Sequence, residues 1–167
     1  MREFIQIQLE DVKDVSQVEC AAFSHAWPLS YFRAGLAAPN VLCVGSVEEG
    51  KLGAYTLGFI DAQCFRLSSI AVAPRLRCRG RGEALLRYVL AQAVDRGCAS
   101  ACLEVRASNS SALSLYEKVG FTLCQRLVKH YDNPIEDGLQ FVLDLSLIHI
   151  SEPTRQAEIS YAVFCLK

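Results

Sequence analysis

The chain has 167 residues, enough for one domain with its own core. Hydrophobic residues make up 51% and charged residues 21%, a globular rather than a disordered composition. With 17 basic and 18 acidic residues the net charge is −1, which argues against a broadly basic nucleic-acid binder.

The N-terminal stretch MREFIQIQLEDVKDV alternates and carries acids, unlike a signal peptide. Residues 3–8 are expected to form the first strand. Residues 11–23 follow as a helix, with Val12, Val15, Val18 and Ala22 at helical spacing. Pro28 makes 24–30 a loop, and a short helix over 30–37 ends at Pro39-Asn40. Strands are expected over 41–47 and 52–61 around a turn at 48–51, with another strand over 65–73. A long helix over 80–96 ends at Gly97, and a strand follows over 101–106. Asn109 or Ser110 caps a helix that runs to Val119 and ends at Gly120. Residues 121–129 and 139–145 read as closing strands with a turn at 134–138. Absence of a linker or repeat points to one α/β domain on a mixed sheet.

No apolar run reaches the roughly 18 residues of a membrane span. Eight cysteines show no CxxC pair, so reduced thiols in a cytoplasmic protein are expected, with no metal site. Cys20, Cys43, Cys64 and Cys124 have apolar neighbours and are expected in the core. Residues 145–155, LSLIHISEPTR, resemble the translation of a sequencing-library adapter, and QAEISYAVFCLK after them resembles its continuation. On that resemblance the domain covers 1–145 and the tail 146–167 is foreign. The competing reading is a genuine C-terminal strand, since ISYAVFCL is β-like.

The most informative segment is RCRGRG at 77–82, between the apolar runs LSSIAVAP and EALLRYVLAQAV. A strand, a glycine-rich turn and a helix present free backbone N–H groups to an anion. Gly80 and Gly82 lack Cβ atoms and let a diphosphate approach the backbone. Arg77, Arg79 and Arg81 would add positive charge, although a solvated basic loop is the plainer reading of such a run. No GK[ST] follows, and Leu85 stands where a dinucleotide fingerprint needs its third glycine. Downstream, LEVRASNSSALSLYEKVGF at 103–121 contributes a carboxylate, an Asn and a Tyr.

The pattern Arg77-x-x-Gly80-x-Gly82 resembles the acetyl-CoA signature of the GCN5-related N-acetyltransferase (GNAT) superfamily. Residues 103–121 are similar to the same stretch of the ribosomal-protein-alanine N-acetyltransferases, the RimI type. The resemblance extends through SIAVAP and HYDNPIED and covers 3–145, strongest over 69–121. It implies a single-domain GNAT fold, an α/β (α+β) architecture with a mixed, mostly antiparallel central sheet flanked by helices. It implies Glu104 as general base and Tyr116 as general acid. It further implies Ile70, Ala71 and Val72 as the strand that pairs with the pantetheine arm. Arg77, Cys78, Arg79, Gly80, Arg81, Gly82 and Glu83 match the diphosphate loop, and Asn109 matches a residue that touches the cofactor. The cosubstrate is then acetyl-CoA, with no metal. The partner is the N-terminal peptide of a protein acceptor, ribosomal in that family, with neither nucleic acid nor membrane involved.

Each residue has a plainer role open to it. Glu104 can be a solvated strand end, Tyr116 a packing residue and Asn109 a helix cap. Ala112, Leu113 and Leu115 read as the packing face of their helix. Three departures from the family stand out: Trp27-Pro28-Leu29-Ser30 where Pro-Trp-Ser is common, His130-Tyr131 where two tyrosines are frequent, and Glu83 beside the diphosphate loop. His130 can touch the acceptor or be a partly exposed strand histidine. Acetylation of a small-molecule amine and a non-catalytic acetyl-CoA-binding module stay open as other functions.

Overall fold

The computed structural model describes residues 2–146, so the expectation of a foreign tail falls, beyond Ser146, outside the described residues. In chain order the elements are β1 (Arg2–Gln6), α1 (Val12–Ala22), α2 (Leu29–Leu36), β2 (Val41–Glu48), β3 (Lys51–Asp61) and β4 (Cys64–Val72). After them come α3 (Arg81–Asp95), β5 (Ser100–Arg106), α4 (Ser110–Val119), β6 (Thr122–Tyr131) and β7 (Glu136–Asp144). The seven strands form one sheet in the order β1-β2-β3-β4-β5-β7-β6. Every neighbouring pair is antiparallel except β4 and β5, which run parallel. This is the mixed, mostly antiparallel sheet expected from the sequence.

Strand alternation divides the core into two. Leu42 and Val44 of β2 face α3 and α4, while Cys43 between them faces α1 and α2. On α3 the buried residues Leu85, Leu86, Val89, Leu90 and Ala93 fall on one stripe at helical spacing. On the other face, Val15 and Val18 of α1 and Phe32 of α2 pack with Tyr55 and Leu57 of β3.

Some expectations are corrected. The first strand stops at Gln6 because a 3-10 turn over Leu9–Asp11 leads into α1. The final turn is 132–135 rather than 134–138. Glu136 pairs with Tyr131, and Gly138 with Leu127, so both belong to β7. Arg106 holds that turn by donating to the carbonyls of Asp132 (2.8 Å) and Pro134 (3.1 Å). Cys20 and Cys124 are exposed, not core. Cys20 follows Glu19 off the buried stripe of α1, and Cys124 sits on the edge strand β6. Cys43 is buried, and Cys64 is half-buried with its sulfur 3.5 Å from that of Cys102.

Candidate active site

Strands β4 and β5 pair only from Cys64 with Ser100 to Leu67 with Leu103. There β4 takes an extra residue: Leu57 of β3 faces Ser69 and Gly58 faces Leu67, leaving Ser68 unpaired. Such a bulge bends its strand. The bend is fitted closely, since a Cβ on Gly58 would lie 2.6 Å from the Arg66 carbonyl oxygen. Beyond it, β5 carries Glu104 to Arg106 alongside β7 only, and the second edge of β4 has no strand partner. The gap opens into a cleft of about 960 Å³.

Ala73 donates its N–H to Gly53 at 2.9 Å. Hydrogen-bonded pairs alternate along an antiparallel ladder, so Ala71 points its backbone groups at β3 while Ile70 and Val72 point theirs into the cleft. Ala71 buries its methyl against the α1–α2 core, whereas Ile70 and Val72 pack toward α3 and α4.

The basic loop closes one end of the cleft. Cys78 (φ +58°) and Gly80 (φ +69°) both take left-handed backbone, and α3 begins at Arg81. A Cβ on Gly80 would meet nothing within 4 Å, so it is the left-handed φ and not space that favours glycine there. The N–H groups of Arg81, Gly82 and Glu83 have no intrahelical acceptor, and none is made to another described residue. The first intrahelical bond is Ala84 N–H to the Gly80 carbonyl at 3.0 Å.

The arginines are not the loose cationic cluster that the sequence suggested. Arg77 donates to the Val72 carbonyl (3.1 Å) and to the Ala22 carbonyl (2.9 Å), tying the loop to β4 and α1. Arg81 is buried and paired with Glu48 at the end of β2, and the guanidinium holds that carboxyl below its usual value. Arg79 makes no ion pair or hydrogen bond among the described residues. Glu83 is also explained. Its carboxylate reaches Lys118 of α4 (2.7 Å) and Arg87 of α3 (3.1 Å), and these hydrogen bonds, that of Lys118 first, lower its pKa. The acid therefore faces α4 and leaves only its backbone to the loop.

At the other end, the Glu104 carboxylate lies 2.7 Å from Nε2 of His130 on β6. Tyr116 of α4 is buried edge-to-face against Phe121 and lines the cleft. Burial, and secondarily the charge of Tyr131, push its phenol well above the ordinary value. Asn109 is the cap of α4, accepting the Ala112 N–H at 3.2 Å, and it also lines the cleft. Cap and lining are thus compatible. Ala112, Leu113 and Leu115 pack on the core as expected.

Sequence reasoning missed Glu19. This buried carboxylate accepts the Trp27 N–H (3.0 Å) and the Tyr55 hydroxyl (2.5 Å), and Tyr55 also meets Ser69 Oγ at 3.0 Å. The network fixes the Trp27-Pro28 loop against β4, and burial with the Glu19 contact pushes the Tyr55 phenol up. The readable signal was an acid at i+4 from Val15, on an otherwise apolar stripe.

Residues 12–121 match the acetyltransferase (GNAT) family, from α1 through both walls of the cleft. The chain belongs to the GNAT family. Among its GNAT relatives is the [ribosomal protein bS18]-alanine N-acetyltransferase of Escherichia coli (strain K12). It is 28% identical over 147 residues, covering 88% of this chain and 97% of the relative. The enzyme of that name from Salmonella typhimurium (strain LT2) is 31% identical over 139 residues, covering 82% and 93%. The crystal structure of the E. coli ribosomal-protein-S18-alanine N-acetyltransferase superposes with a TM-score of 0.82 at 27% identity, covering 87% of this chain and 94% of that one. Ard1 from Thermoplasma volcanium shares the fold, with a TM-score of 0.78 at 18% identity over 86% of this chain and 97% of the other. As a GNAT protein the chain is an acyltransferase by family.

Proposed function

We propose that this enzyme transfers the acetyl group of acetyl-CoA to the N-terminal α-amine of a protein. On the names of its relatives, the acceptor is the N-terminal alanine of ribosomal protein bS18. The observation that carries the reading is the parting of β4 and β5, with unsatisfied amides at one end of the gap and a carboxylate at the other.

The residues present fit acetyl-CoA. The diphosphate would sit on the N–H groups of 78–83, where the helix dipole also favours an anion. Open space at Gly80 and the unpaired Arg79 suit it, and Glu83 is turned away onto Lys118 and Arg87. The pantetheine amides would continue the sheet on the backbone groups of Ile70 and the N–H of Val72, whose carbonyl already accepts from Arg77. The thioester carbonyl would then lie near the Val72 N–H, a donor for the oxyanion as it forms.

An amine attacks only when neutral. An α-amine has an ordinary pKa near 7.7–8.0 against about 10.4 for lysine. A single carboxylate therefore suffices for the α-amine, where lysine would cost about 3.4 kcal/mol more at neutral pH. Glu104 takes the amine's proton as the nitrogen bonds to the acetyl carbon. The tetrahedral centre then collapses, the C–S bond breaks and the thiolate leaves. In place of the general acid that the resemblance implied, Tyr116 keeps its proton, because burial raises its phenol further above a thiol. It serves by donating a hydrogen bond to the departing sulfur. Trp27 and His25 of the α1–α2 loop also line the cleft and would face the acceptor.

Mass spectrometry decides the acceptor. An alanine-starting peptide incubated with acetyl-CoA is expected to gain one acetyl group on its α-amine, and the same peptide with a blocked N-terminus none. Acetylation of a free polyamine or amino acid in preference to the peptide would reject the reading.

A further inference from the structure

The β6–β7 hairpin breaks its register beside Glu104. Leu127 faces Gly138 and Tyr131 faces Glu136, so Val128, Lys129 and His130 stand opposite Asp137 alone. Two extra residues on one strand swing its side chains off the regular alternation. Lys129 takes a left-handed φ of +50°, and Asp137 Oδ1 accepts its N–H at 2.9 Å. The other oxygen of Asp137 accepts from Arg126 Nε at 2.7 Å. Space for the displaced ring comes from Gly138, where a Cβ would lie 2.9 Å from Cδ2 of His130. The result is the 2.7 Å contact from His130 Nε2 to Glu104 Oε2. No other described side chain hydrogen-bonds that carboxylate.

We propose that His130 is a positioning residue. Its Nε2–H fixes Glu104 in the cleft through Oε2 and leaves Oε1 for the acceptor amine or the water that relays its proton. This rests on the role of Glu104 given above. A general base acts only within hydrogen-bond reach of its proton, and an unheld carboxylate turns about its own torsions. The bulge, the Asp137 clasp and the bare Cα of Gly138 together present the imidazole at the one place where it can hold that base. The imidazole keeps its own proton, and the proton of the amine ends on Glu104.

A double-mutant cycle on the full chain tests it. His130→Ala is expected to lower kcat about tenfold or more with the acetyl-CoA Kd unchanged, the scale of a misplaced catalytic group. His130→Gln offers an amide N–H at the Nε2 position and should recover kcat to within about threefold. In a Glu104→Gln background, His130→Ala should change kcat by less than about twofold, because the group it positions is already gone. An undiminished kcat in His130→Ala, no recovery in His130→Gln, or an equal loss in both backgrounds overturns the inference. One readout needs no turnover. The imidazole nitrogen spectrum should show the His130 proton on Nε2 in the wild type and a tautomer mixture in Glu104→Gln. Identical spectra overturn the contact. A wild type that acetylates no α-amine would instead reject the functional reading, with the spectrum still deciding the contact.

Discussion

At the residue scale, Glu104 has a pH signature. Replacing it with Gln leaves the amine to lose its proton in solution. The kcat of Glu104→Gln should be about 100-fold down near pH 7, and about tenfold of that should be recovered as pH rises past 7.7–8.0, where the α-amine becomes neutral. Initial rates across that range check this, and a deficit independent of pH would contradict it. Two of the loop's three arginines should part company. Arg79→Met should weaken acetyl-CoA binding with little change in Tm. Arg81→Met should lower Tm, since it strips the buried partner from Glu48. That Glu104, Tyr116, Gly80 and Gly82 stand out together was legible because they lie in short contiguous segments with recognisable spacing, and the fold brings them to one cleft. The commitments of Arg81 and Glu83 were not. Their partners, Glu48 and Lys118, meet them only once a hairpin and a second helix pack against α3.

At the element scale, the cleft depends on the β4 bulge. Gly58→Ala would drive a Cβ into the Phe65 ring at 2.4 Å and the Arg66 carbonyl oxygen at 2.6 Å. It should cost about 1–3 kcal/mol as overpacking, read by chemical denaturation. Helix periods and strand alternation placed every element to within a few residues. The last turn was misread because Pro134 to Gly138 has turn-like composition. Cross-strand pairing of Glu136 with Tyr131 and the Arg106 grip on the preceding carbonyls prevail over that local preference. No period in the sequence marks Ser68 as an extra residue. A bulge is a relation between two strands, so the parting of β4 from β5 was legible only through family resemblance.

At the scale of the whole molecule, several carboxylates tie elements together in their charged form. Glu48 and Glu83 sit below the ordinary value of 4.5, and Asp137 below 3.8, each held down chiefly by hydrogen bonds. A folded-state pKa below the unfolded one adds stability that is complete above the ordinary value and is lost as pH falls through the folded value. Wild-type Tm should therefore fall more than that of Glu83→Gln between about pH 5 and about pH 3, and parallel curves would contradict the pairing. The measurement that bears most directly on the central claim is single-turnover acetylation of an alanine-starting peptide, followed beside acetyl-CoA binding for wild type and Glu104→Gln. The cleft reading predicts transfer to the α-amine by the wild type, and tight acetyl-CoA binding but slow transfer by the variant. Equal transfer rates, or binding lost together with transfer, would contradict it.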